Sequence, residues 1–243
     1  MKNTFKIIRI AGIISLALIL AFTACGQREC PEDHFVAVPI DGGAGVKITE
    51  YTGGNWEVNI PRRIRRIPVT HIGDEAFRGM NLISVTIPNG VTAIGHSAFM
   101  DNQLTSITIP RSVTSIGIAA FNNNQLTSLS IGNSVTRIGG GAFFSNQLTR
   151  VTIPNSVTYI GGSAFRNNQL TSVTIPNSVE HIGMNAFRDN QLTSATVANS
   201  EAYIGPDAFY NNPLNSITIS GLPRIYKVGS TGGGGLTKGL HSG

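Results

Sequence analysis

Apolar positions along this chain recur with a step of 22 residues. Phe77, Phe99, Phe121, Phe143, Phe165, Phe187 and Phe209 keep that step without interruption. Ile72, Ile94, Ile116, Ile138, Ile160, Ile182 and Ile204 form a second column, each followed by glycine, and a leucine column runs from Leu82 to Leu214. A fixed period of this size marks a solenoid, in which each turn buries its apolar face against the next and no turn folds alone. Within one unit, Val173 and Ile175 share one side of the chain and Ser172 and Thr174 the other, which is the alternation of a strand. Pro176 has no N–H to give a ladder and ends that strand, as do Pro88, Pro110 and Pro154 in their own units. The glycine after each Ile predicts a corner with positive φ. The six residues Gly162–Asn167 leave room for one helical or 3₁₀ turn but not for a helix.

These patterns predict an α/β solenoid of 22-residue units with one strand per unit. A parallel β-sheet lies on one face and short helical or 3₁₀ turns on the other. Seven units at about 4.8 Å per strand make a rod roughly 34 Å long. Stacking like on like also predicts graded damage. Phe143→Ala costs about 3–5 kcal/mol, and more than the same change at Phe77 or Phe209 near the ends.

The flanks divide the chain further. Val46–Tyr51 and Trp56–Ile60 both alternate, with Thr52-Gly53-Gly54-Asn55 between them as a turn, and this predicts a hairpin that covers the first strand edge. The expected organisation is a signal peptide over 1–24, a tether over 25–45, a cap hairpin and first unit over 46–76, the solenoid over 77–222, and a flexible Gly-rich tail over 223–243. Glu201 stands in a column otherwise held by Val91, Val113, Val135, Val157 and Val179. A lone buried carboxylate is costly, so a local rearrangement is predicted there. Gly235-Leu236-Thr237-Lys238 lacks the Gly-Lys-Ser/Thr order of a phosphate loop.

Lys2, Lys6 and Arg9 precede an apolar run from Ile10 to Phe22. That run, about 13 residues long, is short for a membrane span and reads as a secretory signal. Its removal takes Lys and Arg from 18 to 15 against 13 Asp and Glu, a net charge near +2 that gives no case for a nucleic-acid partner. Charged residues are 13% of the chain, about half the usual share, as expected of a surface made of repeated short turns. The segment Phe22-Thr23-Ala24-Cys25 resembles a bacterial lipobox, which implies lipid attachment at Cys25 and a membrane partner through that lipid. The other reading of the two cysteines is a bridge between Cys25 and Cys30 in an oxidising compartment. No further thiol or histidine cluster stands nearby to complete a metal site, and no cofactor is expected.

The unit Leu-Thr-Ser-Val-Thr-Ile-Pro-Asn-Ser-Val, followed by Ile-Gly-x-x-Ala-Phe, resembles the BspA-type leucine-rich repeats of bacterial surface proteins. The resemblance runs over residues 46–221 and includes the opening segment Ile60-Pro61 through Ile67-Pro68-Val69-Thr70-His71-Ile72-Gly73-Asp74-Glu75-Ala76-Phe77. It implies a leucine-rich repeat solenoid carried across the inner membrane, held by lipid at the outer surface of the envelope, and adhering to host matrix or cell-surface proteins.

Two surfaces are candidates for that binding. The outward strand positions form a polar strip that includes Ser106, Thr108, Ser128, Ser130, Thr152, Ser172 and Thr174, with Arg150 its one strong anchor. Arg is enriched at binding hot spots. Hydroxyl rows also arise simply because Ser and Thr suit solvent-facing strands and bond across them. The second candidate is the cluster Arg62, Arg63, Arg65 and Arg66, suited to sulfated glycans or an acidic patch; this cluster is where the chain departs from the repeat family. Catalysis is not expected, nor a small-molecule substrate. His71 and His181 share a column but lie five units apart, roughly 24 Å. The carboxylates come from different units and columns, whereas chemistry needs convergent groups in a pocket. Besides adhesion, the readings left are an envelope scaffold without a host ligand and a sulfated-glycan binder.

Overall fold

Each 22-residue turn contributes two parallel strand positions, where the sequence predicted one. The computed structural model describes residues 29–214, 216–220, 225–228 and 236–237. The signal segment 1–24, Cys25 and most of the segment 223–243 lie outside the described residues. Near the N-terminus come β1 (Phe35–Pro39), β2 (Val46–Tyr51), β3 (Glu57–Asn59), β4 (Arg63–Ile64) and β5 (Ile67–Ile72). The repeats then alternate two kinds of short strand. These are β6 (Ser84–Thr86), β7 (Ala93–Ile94), β8 (Ser106–Thr108), β9 (Ser115–Ile116), β10 (Ser128–Ser130), β11 (Arg137–Ile138), β12 (Tyr159–Ile160), β13 (Ser172–Ile175), β14 (His181–Ile182), β15 (Ser194–Val197), β16 (Tyr203–Ile204) and β17 (Ile217–Ile219). Finally β18 (Ile225–Val228) runs antiparallel to β17, and β19 (Leu236–Thr237) antiparallel to β18.

The isoleucine column lies in the longer sheet, ordered β1-β2-β5-β7-β9-β11-β12-β14-β16, with β4 paired to β5. Its repeat strands pair in a constant register, for example Ile116 with Ile138 and Ile138 with Ile160. The Ser/Thr strip lies in the other row, which is broken into a β3–β6 pair, a β8–β10 pair and the run β13-β15-β17-β18-β19. Between the last two, Arg150–Ile153 forms no strand.

The corner and the return are built differently from expectation. The glycines after the isoleucines do not have positive φ. A Cβ on Gly139 would sit 2.5 Å from Gly117 C and 2.6 Å from Ile118 N, so glycine is needed for close approach of successive turns. Left-handed backbone falls two residues later instead, at Ser97, Ala119, Ser163, Asn185 and Asp207. It recurs at Asp101, Asn123, Ser145, Asn167 and Asp189. These residues cut the return into separate turns closed by bonds such as Arg166 N–H to Ser163 O at 3.1 Å, so no helical segment forms in the repeats. The only 3₁₀ turns among the described residues are Glu32–His34 and Asp41–Gly43, near the N-terminus.

The phenylalanine column is stacked as predicted. Ring centroids from Phe77 to Phe209 are 4.9–5.5 Å apart, with interplanar angles of 15° or less. The column does not begin at Phe77: Tyr51 stacks on it at 5.5 Å and Phe35 meets it edge-on at 6.3 Å. Two expectations fail here. β2 and β3 are not a hairpin, because β2 pairs antiparallel with β1 and parallel with β5, while β3 pairs with β6. Residues 29–45, expected to be tether, include β1 and the buried Phe35, which this apolar end of the stack draws onto the cap. At the other end, Glu201 is exposed, as the predicted rearrangement requires. The Asn199 side chain caps the displaced turn, accepting from Glu201 N–H at 2.9 Å.

Candidate functional site

The strip residues share one face but not one ladder. Ser106 pairs with Ser128 and Thr108 with Ser130 on β8 and β10, whereas Ser172 and Thr174 lie on β13 against β15. All six are exposed. Their hydroxyls make no hydrogen bond with other described residues, so they do not bond across strands as such rows often do. The threonines beside the isoleucine column do: Thr114 Oγ1 donates to Thr92 O and Thr136 Oγ1 to Thr114 O, both at 3.1 Å. Arg150 and Thr152, also exposed, sit in the unpaired segment between the two ladders. There they flank a shallow depression of about 340 Å³, walled by Asn155, Ser172, Thr174 and Pro176 and floored by Ile153 and Val173.

The arginine cluster is a turn. Arg65 and Arg66 occupy the two central positions between β4 and β5, with φ of 50° and 70°, the signs of a type I′ hairpin turn. Arg62, Arg63, Arg65 and Arg66 are all exposed. Two carboxylates already serve this turn: Glu29 Oε1 accepts from Arg62 N–H at 3.3 Å, and Glu32 Oε2 from Arg65 N–H at 2.7 Å. They offset part of the cluster's positive potential. Nearby, a depression of about 520 Å³ lies against Phe35, Val36, Val46 and Arg65. Cys30 is buried and disulfide-bonded, and the only other cysteine in the sequence is Cys25.

Titratable groups are spread along the turns. Among the described residues, no group of three or more His, Cys, Asp or Glu is placed to hold a metal ion. The densest charge cluster is a salt-bridge network on the return turns. Arg166 Nε meets Asp189 Oδ2 at 2.9 Å, and Arg188 lies between Asp189 at 3.5 Å and Asp207 at 3.8 Å. Burial pushes the Asp189 carboxyl up, but hydrogen bonds from Asn211 and Arg166 and the charges of Arg166 and Arg188 outweigh it and hold it below its ordinary value. This network ties neighbouring turns together and lines neither of the two depressions described above.

Two columns escape a reading by hydrophobic period. One is structural: Asn102, Asn124, Asn146, Asn168, Asn190 and Asn212. Asn146 Oδ1 accepts from Leu126 N–H at 3.0 Å, and its Nδ2 donates to Phe121 O at 3.0 Å and Phe143 O at 3.2 Å. The signal was the Asn before every Gln-Leu or Pro-Leu pair. The other is the outward partner of the isoleucine column, where Arg137, Tyr159, His181 and Tyr203 stack in order. Arg137 lies 4.1 Å over the Tyr159 ring, and the next centroid spacings are 4.7 and 4.8 Å. The signal here was variation: this position changes from unit to unit while its neighbours stay constant.

Two parallel strand positions per turn, invariant inner columns and an asparagine ladder define a leucine-rich repeat solenoid. The chain belongs to the family described as the BspA type leucine rich repeat region, whose model matches six copies over residues 57–169 and 114–230. Members are surface proteins that generally bind proteins or act in adhesion, and the fold is typically one of binding or scaffolding. No curated protein matches the chain. Among solved structures it is similar to the T. pallidum leucine rich repeat protein, at 25% identity and a TM-score of 0.61, over 79% of this chain and 86% of that one. It is also similar to the pneumococcal vaccine antigen PcpA, at 20% identity and a TM-score of 0.47, over 75% of this chain and 54% of that one. A leucine rich cell surface protein from Faecalibacterium prausnitzii matches at 22% identity and a TM-score of 0.39, over 80% of this chain and 77% of that one.

Proposed function

We propose that this chain is a surface-exposed binding protein that adheres to host or cell-surface proteins through the Ser/Thr strip, with Arg150 as anchor. The observation that carries this reading is the set of exposed, internally unbonded hydroxyls on both sides of the Arg150 depression. A partner entering there finds donors and acceptors that owe nothing to the fold, and one guanidinium able to form a bidentate pair. The scattered titratable groups support binding over catalysis. The test is a screen of the full chain against matrix proteins, repeated with Arg150→Glu and Thr152→Arg. Saturable binding that weakens about tenfold or more in both variants supports the strip. Binding that ignores both substitutions removes the strip from the reading, and silence across the panel with self-association turns it to scaffolding.

Anchoring belongs to the same proposal. The resemblance of Phe22–Cys25 to a lipobox supports export and a lipid on Cys25 at the envelope surface, whereas the bridged state of Cys30 supports the Cys25–Cys30 disulfide. A sulfur carrying a diacylglyceryl thioether has no valence left for a bridge, so the anchor and a Cys25–Cys30 disulfide exclude each other. Intact mass of the protein recovered from its envelope separates them. A gain of one lipid group supports the anchor, and a loss of two hydrogens without lipid overturns it.

A further inference from the structure

The face carrying the unbroken sheet has its own line of chemistry, separate from the Ser/Thr strip. The outward residue of each strand falls in one register row: Lys47 beside His71 near the cap, then two rungs of small residues, then Arg137, Tyr159, His181 and Tyr203. The row holds two permanent cations and two imidazoles and no carboxylate. Lys47, Arg137 and Tyr203 are exposed, and Tyr203 keeps 54% of its surface.

The geometry of the stack restricts what it takes. Tyr159, His181 and Tyr203 are nearly parallel, with interplanar angles of 8° and 19°, and Arg137 covers the other face of Tyr159. The ring faces between Arg137 and Tyr203 are therefore used up, and only the outer face of Tyr203 carries no described ring, so a nucleic acid finds no run of successive platforms of the kind single-strand binders offer. Phenol hydroxyls, imidazole N–H groups, a guanidinium and ring edges remain, and aromatic edges carry the positive end of the quadrupole. Such a row suits acceptors and negative charge. It spans seven strand intervals, roughly 34 Å, about the length of ten residues of extended chain. Tyr and Arg are also the residues most enriched where protein interfaces hold their binding energy. The carboxylates close to the row in sequence are Glu180, next to His181, Glu201, two residues before Tyr203, Glu50, three residues after Lys47, and Asp74, whose Oδ1 already accepts from His96 N–H at 2.7 Å. The ligand's negative charge is thus directed to Arg137, away from Glu180 and Glu201.

We infer that this row is a second binding surface, taking an extended acidic segment of a protein partner. The inference rests on the reading of the chain as a protein-binding molecule but not on the Ser/Thr strip. The probe is a fluorescent decaglutamate peptide titrated by anisotropy into the full chain, with decalysine, heparin and oligothymidine in parallel. Saturable, salt-sensitive binding of decaglutamate is expected. It should weaken about tenfold or more in Arg137→Gln and several-fold in Tyr159→Ala, and should not change in Arg150→Ser on the other face. Unchanged melting of the variants separates lost contact from lost fold. Binding that survives Arg137→Gln and Tyr159→Ala overturns the inference. So does retention of heparin or oligothymidine without decaglutamate, which would assign the row to a glycan or a nucleic acid. A matrix-protein screen that stays silent while decaglutamate binding depends on Arg137 defeats the adhesion reading and leaves this one standing.

Discussion

Asn146 shows how one side chain joins two turns. Its amide satisfies the Leu126 N–H of the preceding turn and the carbonyls of Phe121 and Phe143, all in a buried setting. Each buried polar group left unpaired costs about 1–3 kcal/mol. Asn146→Ala is therefore expected to lose about 3 kcal/mol or more in urea unfolding, although the substitution removes almost no apolar surface. Asn212→Ala, at a half-buried position where water replaces the amide, should lose clearly less. Equal losses would mean that the ladder is not a buried feature. The asparagine column was visible in the sequence as a column. Its meaning was not, because asparagine between short strands reads first as a turn former. Only the placement of the phenylalanine carbonyls reveals a buried clamp.

At the scale of the element, the corner and the return divide two duties that a single glycine seemed to hold. Gly139 packs against the backbone of the previous turn, and Gly141 carries the left-handed φ of 60°, where a Cβ would make only ordinary contacts with Asn122 Nδ2 and Phe144 Cβ at 3.9 Å. Gly139→Ala must force two turns apart and is expected to cost about 3 kcal/mol, the upper part of the range for overpacking. Gly141→Asn should stay within about 1 kcal/mol, because asparagine tolerates the left-handed region and Asn185 holds the equivalent place with φ of 59°. Thermal melts of the two variants check this, and the reverse order would refute the division. The second strand of each turn was not legible for a related reason. Ala93–Ile94 and its mates are two residues long, too short to show alternation, and only their neighbours in the ladder make them strands. The strip residues, by contrast, were placed correctly on one outward face, since three residues of alternation suffice to orient them. The break at Arg150–Ile153 falls in the one unit whose first strip position is Arg instead of Ser, a departure that reads in sequence as a binding anchor and not as a lost strand.

Over the whole molecule, the ring stack joins the cap to the repeats. The 22-residue period was readable because every turn meets the same surroundings, so the same residues return. The cap meets different surroundings on each side, and its sequence carries no period. Phe35 lies in a segment that looks polar, and nothing short of the rings themselves shows that it closes the column. This changes the expected damage from truncating the stack. Phe77 is flanked by Tyr51 and Phe99 and is fully buried, as Phe143 is between Phe121 and Phe165. Phe77→Ala and Phe143→Ala should therefore both cost about 3–5 kcal/mol, the usual range for a buried ring. Phe209 stacks on Phe187 alone among the described rings, so its truncation breaks one ring contact instead of two and should be the mildest of the three. Melting midpoints of the three variants measured side by side decide the matter. If Phe77→Ala proves as mild as Phe209→Ala, then Tyr51 and Phe35 do not hold the first ring, and the solenoid begins without a docked cap.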